Sequence, residues 1–271
     1  MSIKRLLKNC LPIGVARLIE YYRADTVHFE GDYATWEEAA AQCVGYDSTS
    51  ILSRVLDATL LVKRGEAAFE RDSVVFDEIE YVWPITAGLM WAAAQSGGKL
   101  SVLDFGGALG SSYFQNAAFL SPLPSVRWSV VEQSHYVLAG RDHIQSDSLR
   151  FYSSIEECLT ENTPNVVLLS SVMQYLPNVD DLIERMNNTS AKIVIIDRTP
   201  FTNEVTDKIC IQTVPKQIYQ ATYPMRVFSL TTFLHRFSGW EVVAKTASPE
   251  GSLVSRGGFD IQFQGFILRR T

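Results

Sequence analysis

From residue 99 onward the chain alternates short apolar runs with stretches whose apolar positions recur every three or four residues. The runs beginning at Leu100 and spanning 126–131, 149–152, 165–169 and 192–196 read as strands. The segments between them read as helices: 111–120, ended by Pro122 and Pro124; 136–144; one opening at Ile155; and one carrying Leu182, Ile183 and Met186. Strands alternating with helices predict βαβ units and a mostly parallel sheet. Beyond Pro200 the pattern changes to a polar and aromatic insertion over 201–228, then a helical stretch over 230–237. Two further strands follow, 240–245 and 261–268; the second alternates in part, as an antiparallel edge pair does.

The first 95 residues read differently. Thr35, Trp36, Glu37 and Glu38 form a capping box ahead of an alanine-rich helix stopped at Gly45. A helical stripe runs from Ser48 through Ile51, Leu52, Val55, Leu56 and Leu60 to a stop at Gly65. Tyr81, Trp83 and Pro84 suggest a buried joint or a lid, and Gly97-Gly98 a hinge. The expected organisation is therefore a mainly helical accessory region over 1–95 and an α/β domain over 96–271.

Composition narrows the class without naming it. A chain of 271 residues, 46% hydrophobic and 20% charged, has an ordinary globular balance. No run is long enough for a spanning helix, and no secretory signal pattern is present, so a cytoplasmic location is expected. Residues 3–23 mix basic and apolar positions, which permits at most peripheral contact with an anionic membrane. The four cysteines lack C-x-x-C spacing and stand apart from the histidines, so no metal site is expected. A net charge of -6 argues against nucleic acid as a partner.

The chemistry concentrates at the end of the first strand of the alternating region. There an apolar run reaches Asp104 and breaks into a turn with Gly106, Gly107 and Gly110 before a helix start. Glycines let backbone approach a ligand, and free amides at a helix start favour polar or anionic groups. The spacing is not that of the G-x-G-x-x-G dinucleotide fingerprint. A carboxylate before the turn repels a diphosphate but accepts from an ammonium. S-adenosylmethionine carries an ammonium and no phosphate. Glu132 ends the second strand, where α/β nucleotide folds place an acid on ribose hydroxyls, with Gln133 beside it for the adenine. Ser153 and Ser154 end the third strand; Ser154 is equally a helix cap.

Val102-Leu103-Asp104-Phe105-Gly106-Gly107-Ala108-Leu109-Gly110 resembles motif I, D-x-G-x-G-x-G, of class I S-adenosylmethionine-dependent methyltransferases, with Ala108 in place of the middle glycine. The run from Val166 to Leu176 is similar in position to motif IV of that family, although Asn165 stands where an acid is usual. The resemblance covers about residues 99–271. It implies a Rossmann-like sheet with an antiparallel C-terminal edge hairpin and a cofactor site drawing on Asp104, Gly106, Gly107, Ala108, Gly110, Glu132, Gln133, Ser153, Ser154, Ser170 and Ser171. S-adenosylhomocysteine would be the product. Gly31 to Ala39, Gly45 to Asp47 and Glu70 to Val74 also look like a bacterial branch associated with surface-polysaccharide gene clusters, which implies a sugar, glycan or other small-molecule acceptor. O-methylation is helped by a general base; the candidates are His135, Tyr175 and Asp197, with Gln174, Tyr175 and Arg198 facing the acceptor. The alternative is a non-catalytic binding protein on the same fold, acting through its N-terminal region. A nicotinamide oxidoreductase is disfavoured by Asp104 and by the glycine spacing.

Overall fold

The computed structural model describes residues 27–43, 48–214 and 221–271. The expectations for residues 3–23, for Gly45 and for Pro215 and Tyr219 lie outside the described residues. In the N-terminal region β1 (His28–Glu30) precedes α1 (Trp36–Gln42) and α2 (Ser48–Lys63). The start of α1 is capped as expected. The Thr35 hydroxyl accepts from the Glu38 amide at 3.2 Å, and the Glu38 carboxylate accepts from the Ala34 amide at 3.1 Å. A hairpin of β2 (Phe69–Arg71) and β3 (Val74–Phe76) follows, its turn made by Asp72 and Ser73, both at positive φ. Next comes α3 (Trp83–Gln95), with a proline in its first turn.

The helix α3 leads directly into β4 (Lys99–Phe105), then α4 (Ser111–Gln115), α5 (Ala117–Leu120) and β5 (Ser125–Val131). After these come α6 (Ser134–Ala139), continued by a wide turn at Gly140–Ile144, then β6 (Leu149–Tyr152), α7 (Ile155–Glu161) and β7 (Val166–Ser170). A single 3-10 turn (Met173–Tyr175) precedes α8 (Val179–Asn187) and β8 (Ile193–Thr202). The chain closes with β9 (Lys208–Val214), β10 (Ala221–Ser229), α9 (Leu230–Phe233), β11 (Trp240–Val254) and β12 (Asp260–Arg270).

Five strands pair in parallel in the order β6-β5-β4-β7-β8. On the far edge of β8 lies β12, antiparallel, and β11 pairs antiparallel with β12. This is the Rossmann-like, mostly parallel sheet with an antiparallel C-terminal hairpin that the resemblance implied. Both faces are covered, which is why the strands read as continuous apolar runs. Leu100 and Val102 of β4 and Ile193 and Ile195 of β8 pack on one face, with α3 and α6. Leu103, Val194 and Ile196, one residue out of step, pack on the other with α7, α8 and a cluster of Phe201, Phe228, Phe233 and Phe266. No helix among the described residues is long and apolar enough to cross a membrane.

Three features differ from the sequence expectation. The stretch 201–228 is not an irregular insertion. It carries the end of β8, then β9 and β10, and β10 runs parallel to β8 at Phe228–Ser229 where β7 has ended. Pro224 and the tyrosines masked these strands, because proline inside a run normally argues against one; here it stands opposite Ile211. β1 adds antiparallel to β9, so the N-terminal region contributes to the sheet. The expected helix 111–120 is broken at Asn116, whose side chain accepts from the Thr86 hydroxyl at 2.6 Å and donates to the Ser112 carbonyl at 2.9 Å.

Candidate cofactor and acceptor site

A cavity of about 760 Å³ opens where β4, β5, β7 and β8 end, the edge at which open α/β sheets bind ligands. Its floor is the glycine turn. Asp104, the penultimate residue of β4, is 1% exposed, and its carboxylate accepts from the Trp128 indole at 2.9 Å. Burial, and to a lesser degree the Glu132 charge, pushes this acid up to about 7 against the opposing Trp128 hydrogen bond. Gly107 folds back over it: a Cβ there would lie 2.5 Å from the Asp104 carboxyl carbon. Gly106, at φ +72°, faces the strand exit of β7, where a Cβ would meet that of Val172 at 2.9 Å. Two glycines therefore let the backbone pass between an acid and a neighbouring strand exit. Ala108 sits at φ +49°, the left-handed conformation a glycine would take, at a cost of roughly 1–2 kcal/mol.

Glu132 follows β5. Its carboxylate accepts from the Gln133 amide at 2.7 Å. Burial raises its pKa, and hydrogen bonds from the Gln133 and Ala108 amides hold it back. The first two strand exits are thus tied together through the turn.

Of the residues singled out from sequence, Asp104, Gly106, Gly107, Ala108, Glu132, Gln133, Ser153, Ser170, Ser171, Tyr175 and Arg198 line this one cavity. Gly110, Ser154, Gln174, His135 and Asp197 do not. Gly110, at φ +90°, is the residue from which α4 starts. The Ser154 hydroxyl accepts from the Glu157 amide at 3.1 Å and caps α7. His135 packs against Tyr136 with ring centroids 4.9 Å apart, its buried Nε2 without a hydrogen bond. Tyr81 and Trp83 are not a lid: both pack on Phe119, at 5.2 and 5.9 Å, and neither lines the cavity.

Asp197 and Arg198 occupy a β-bulge. Gln264 pairs with Thr199 and Phe266 with Ile196, so both residues stand opposite Gly265 alone. A Cβ on Gly265 would lie 2.5 Å from the Ile196 carbonyl oxygen and 2.6 Å from the Thr246 hydroxyl. The bulge leaves Asp197 buried, its carboxylate accepting from Ser170 at 3.2 Å, and turns Arg198 toward the cavity. Burial raises the Asp197 pKa although Arg198 opposes it. The Arg198 Nε is 3.6 Å from that carboxylate and makes no hydrogen bond. Arg198 and Ser171 both have positive φ, and the fully buried Gln174 joins them, donating to the Ser171 hydroxyl at 3.1 Å and the Arg198 carbonyl at 3.3 Å. Gln174 is thus a brace behind the wall.

The rest of the wall joins Tyr175 to residues to which the sequence reading gave no site role. The Tyr175 hydroxyl donates to the Gln212 side-chain oxygen at 3.0 Å, the Gln212 amide lies 3.5 Å from the Tyr223 hydroxyl, and the two tyrosine rings meet edge to face at 5.1 Å. Burial raises the Tyr175 pKa, which keeps it a phenol. Trp36, Glu70, Arg71 and Asp72 also line the cavity. The three acidic and basic residues of the β2–β3 hairpin had a sequence signal in their charge, but only the folded hairpin brings them to the strand exits.

No family model matches the chain, and no curated protein matches it. Solved structures similar to it include an S-adenosylmethionine-dependent methyltransferase from Clostridium acetobutylicum ATCC 824, at 7% identity and a TM-score of 0.48, covering 83% of this chain and 99% of that one. The N-methyltransferase NodS from Bradyrhizobium japonicum WM9, in complex with S-adenosylhomocysteine, is similar at 13% identity and a TM-score of 0.46, covering 81% and 98%. A 1,6-didemethyltoxoflavin-N1-methyltransferase from Burkholderia thailandensis is similar at 12% identity and a TM-score of 0.41, covering 90% and 99%. The strand order and its antiparallel hairpin are those of a Rossmann-like, mostly parallel sheet.

Proposed function

We propose that this chain is an S-adenosylmethionine-dependent methyltransferase that methylates a hydroxyl of a small molecule, with a sugar or glycan as the favoured acceptor. The observation that carries the reading is the Gly107 backbone folded over the buried Asp104 carboxylate, open to the same cavity as Glu132. That cradle has no room for a Cβ, offers an acid to an ammonium and a second acid to ribose hydroxyls, and suits a cationic nucleoside better than a diphosphate.

The cofactor when bound supplies an electrophilic methyl on a sulfonium, transferred by in-line displacement. The chain's own task is to hold an acceptor oxygen in line and to exclude water. Tyr175, Gln212 and Tyr223 offer hydroxyl and amide groups beside aromatic faces, a combination that suits a polyhydroxylated ring. Tyr175, kept protonated, orients the acceptor hydroxyl by hydrogen bonding. The methyl that the cofactor would supply replaces the acceptor hydroxyl's proton, which would leave to bulk solvent at the cavity mouth.

A second reading, cofactor binding without catalysis, draws on His135 and Asp197, two of the three candidate bases, which both lie outside the cavity lining. Calorimetric titration with S-adenosylmethionine, S-adenosylhomocysteine and NAD, followed by transfer of labelled methyl to a panel of sugars, separates the readings. Binding of the sulfur ligands with transfer supports the enzyme; binding without transfer supports the second reading. Binding of NAD alone, or of nothing, overturns both.

A further inference from the structure

Glu70 lies in β2, outside the parallel sheet, and is 2% exposed. One carboxylate oxygen, Oε1, takes the hydroxyl of Ser111, the first residue of α4 after the glycine turn. The other, Oε2, is buried and meets no hydrogen-bond donor within 3.5 Å among the described residues, and the residue lines the cavity. A buried carboxylate oxygen without a donor is costly. Burial, and to a lesser degree the Asp72 charge, pushes this acid up to about 7, an effect that hydrogen bonds from the Ser111 hydroxyl and the Ser73 backbone oppose and Arg71 offsets only weakly. Arg71 is engaged elsewhere: its guanidinium lies 5.7 Å from the Phe69 ring centre and 3.7 Å from the Glu80 carboxylate.

Asp104 has the same character on the other side of the turn, buried and lining the same cavity. The glycine turn is therefore flanked by two buried acids, one from the sheet and one brought in by the hairpin. An unsatisfied buried polar group in a native fold calls for an explanation. A ligand that arrives with a donor of opposite charge supplies one.

Resting on the cofactor reading above, we infer that Glu70 is a cofactor-binding residue whose free Oε2 accepts from the ammonium of the amino-acid tail. The bond to Ser111 fixes the carboxylate against the first turn of α4, which places it on the cofactor side of the cavity rather than beside Tyr175 and Tyr223. The β2–β3 hairpin then completes the cofactor site from the N-terminal region.

The test is a cycle between the residue and the ligand group it is said to meet. The full chain, Glu70→Gln and Glu70→Leu are titrated calorimetrically with S-adenosylhomocysteine and with its deamino analogue. Glutamine keeps an acceptor for Ser111; leucine removes the acid with no new donor. The wild type is expected to bind the deamino analogue roughly 10- to 100-fold more weakly than S-adenosylhomocysteine. Both variants are expected to bind S-adenosylhomocysteine weaker by a similar factor, and the analogue as the wild type does. Equal weakening of both ligands means a packing role and overturns the inference, as does wild-type affinity of the variants for both. Failure of the wild-type chain to bind either ligand overturns the cofactor reading instead.

Discussion

The two halves of the cavity are built by different means. The half around β4 and β5 comes from one contiguous stretch: strand, acid, glycines, helix start, with Glu132 on the adjacent strand. Its shape is a property of the backbone, so Gly106 and Gly107 matter because of what a Cβ would strike. The half around Tyr175 is assembled from residues distant in the chain, Trp36, Gln212 and Tyr223, on elements added to the parallel sheet. Its shape is a property of a side-chain network. Ligand recognition in the first half should collapse on a single methyl group, while the second should yield by degrees.

The largest effect is expected for Gly107→Ala. The added carbon cannot coexist with an Asp104 carboxylate that Trp128 holds in place, so either the turn or the acid must move. Overpacking of this kind costs about 1–3 kcal/mol of stability. Binding of S-adenosylhomocysteine should fall by roughly 100-fold or more, since the cradle itself is deformed. Chemical unfolding and calorimetry measure the two losses. Unchanged affinity would break the comparison, because the turn would then not be a ligand surface.

The next effect, with a sign, is expected for Asp104→Asn. The folded chain holds a proton on Asp104 up to about 7, whereas the unfolded chain releases it near the ordinary value of 3.8. Between those limits the folded state binds more protons, so stability falls as pH rises, and the cost is fully present above about pH 7. Each unit of such a shift corresponds to about 1.4 kcal/mol. From pH 5 to pH 8 the wild type should lose about 3 kcal/mol that the variant keeps. Glu70 and Glu132 shift in the same direction, so the variant's profile should be flatter but not flat. Parallel stability profiles for the two proteins would show that Asp104 is not the buried acid its surroundings imply. A ligand carrying an ammonium should stabilise the wild type more at pH 8 than at pH 5.

The division between the halves is also the division between what the sequence discloses and what it conceals. The strands, the glycine turn and Glu132 follow from apolar periodicity interrupted by acids and glycines, signals carried by neighbours in the chain, whereas the order of the strands in the sheet came only with the family resemblance. Ser154 and Gly110 were placed at the right strand exit, yet helix geometry claims them, one as a cap and one as the residue that turns the chain into α4. Asp197 and Arg198 were placed together and stay within 3.6 Å as an ion pair, but a bulge opposite Gly265 buries the acid and turns the arginine to the cavity, which no local pattern announces. Gln212 was missed, and Glu70 entered only through the resemblance of Glu70 to Val74 to a bacterial branch, with no site role. Each becomes a site residue only when two hairpins meet the strand exits.

The smallest effect is expected for Tyr223→Phe, and its value lies in locating the boundary. The Gln212 amide donates to the Tyr223 hydroxyl at 3.5 Å, a long hydrogen bond, and the ring keeps its edge-to-face contact with Tyr175 without it. Loss of the hydroxyl should change stability by less than about 1 kcal/mol. It should leave S-adenosylhomocysteine affinity within about twofold of wild type, because the residue stands in the half that the glycine turn does not shape. If calorimetry instead shows the cofactor weakened by an order of magnitude, the β9–β10 hairpin belongs to the cofactor, and the acceptor must enter along another wall.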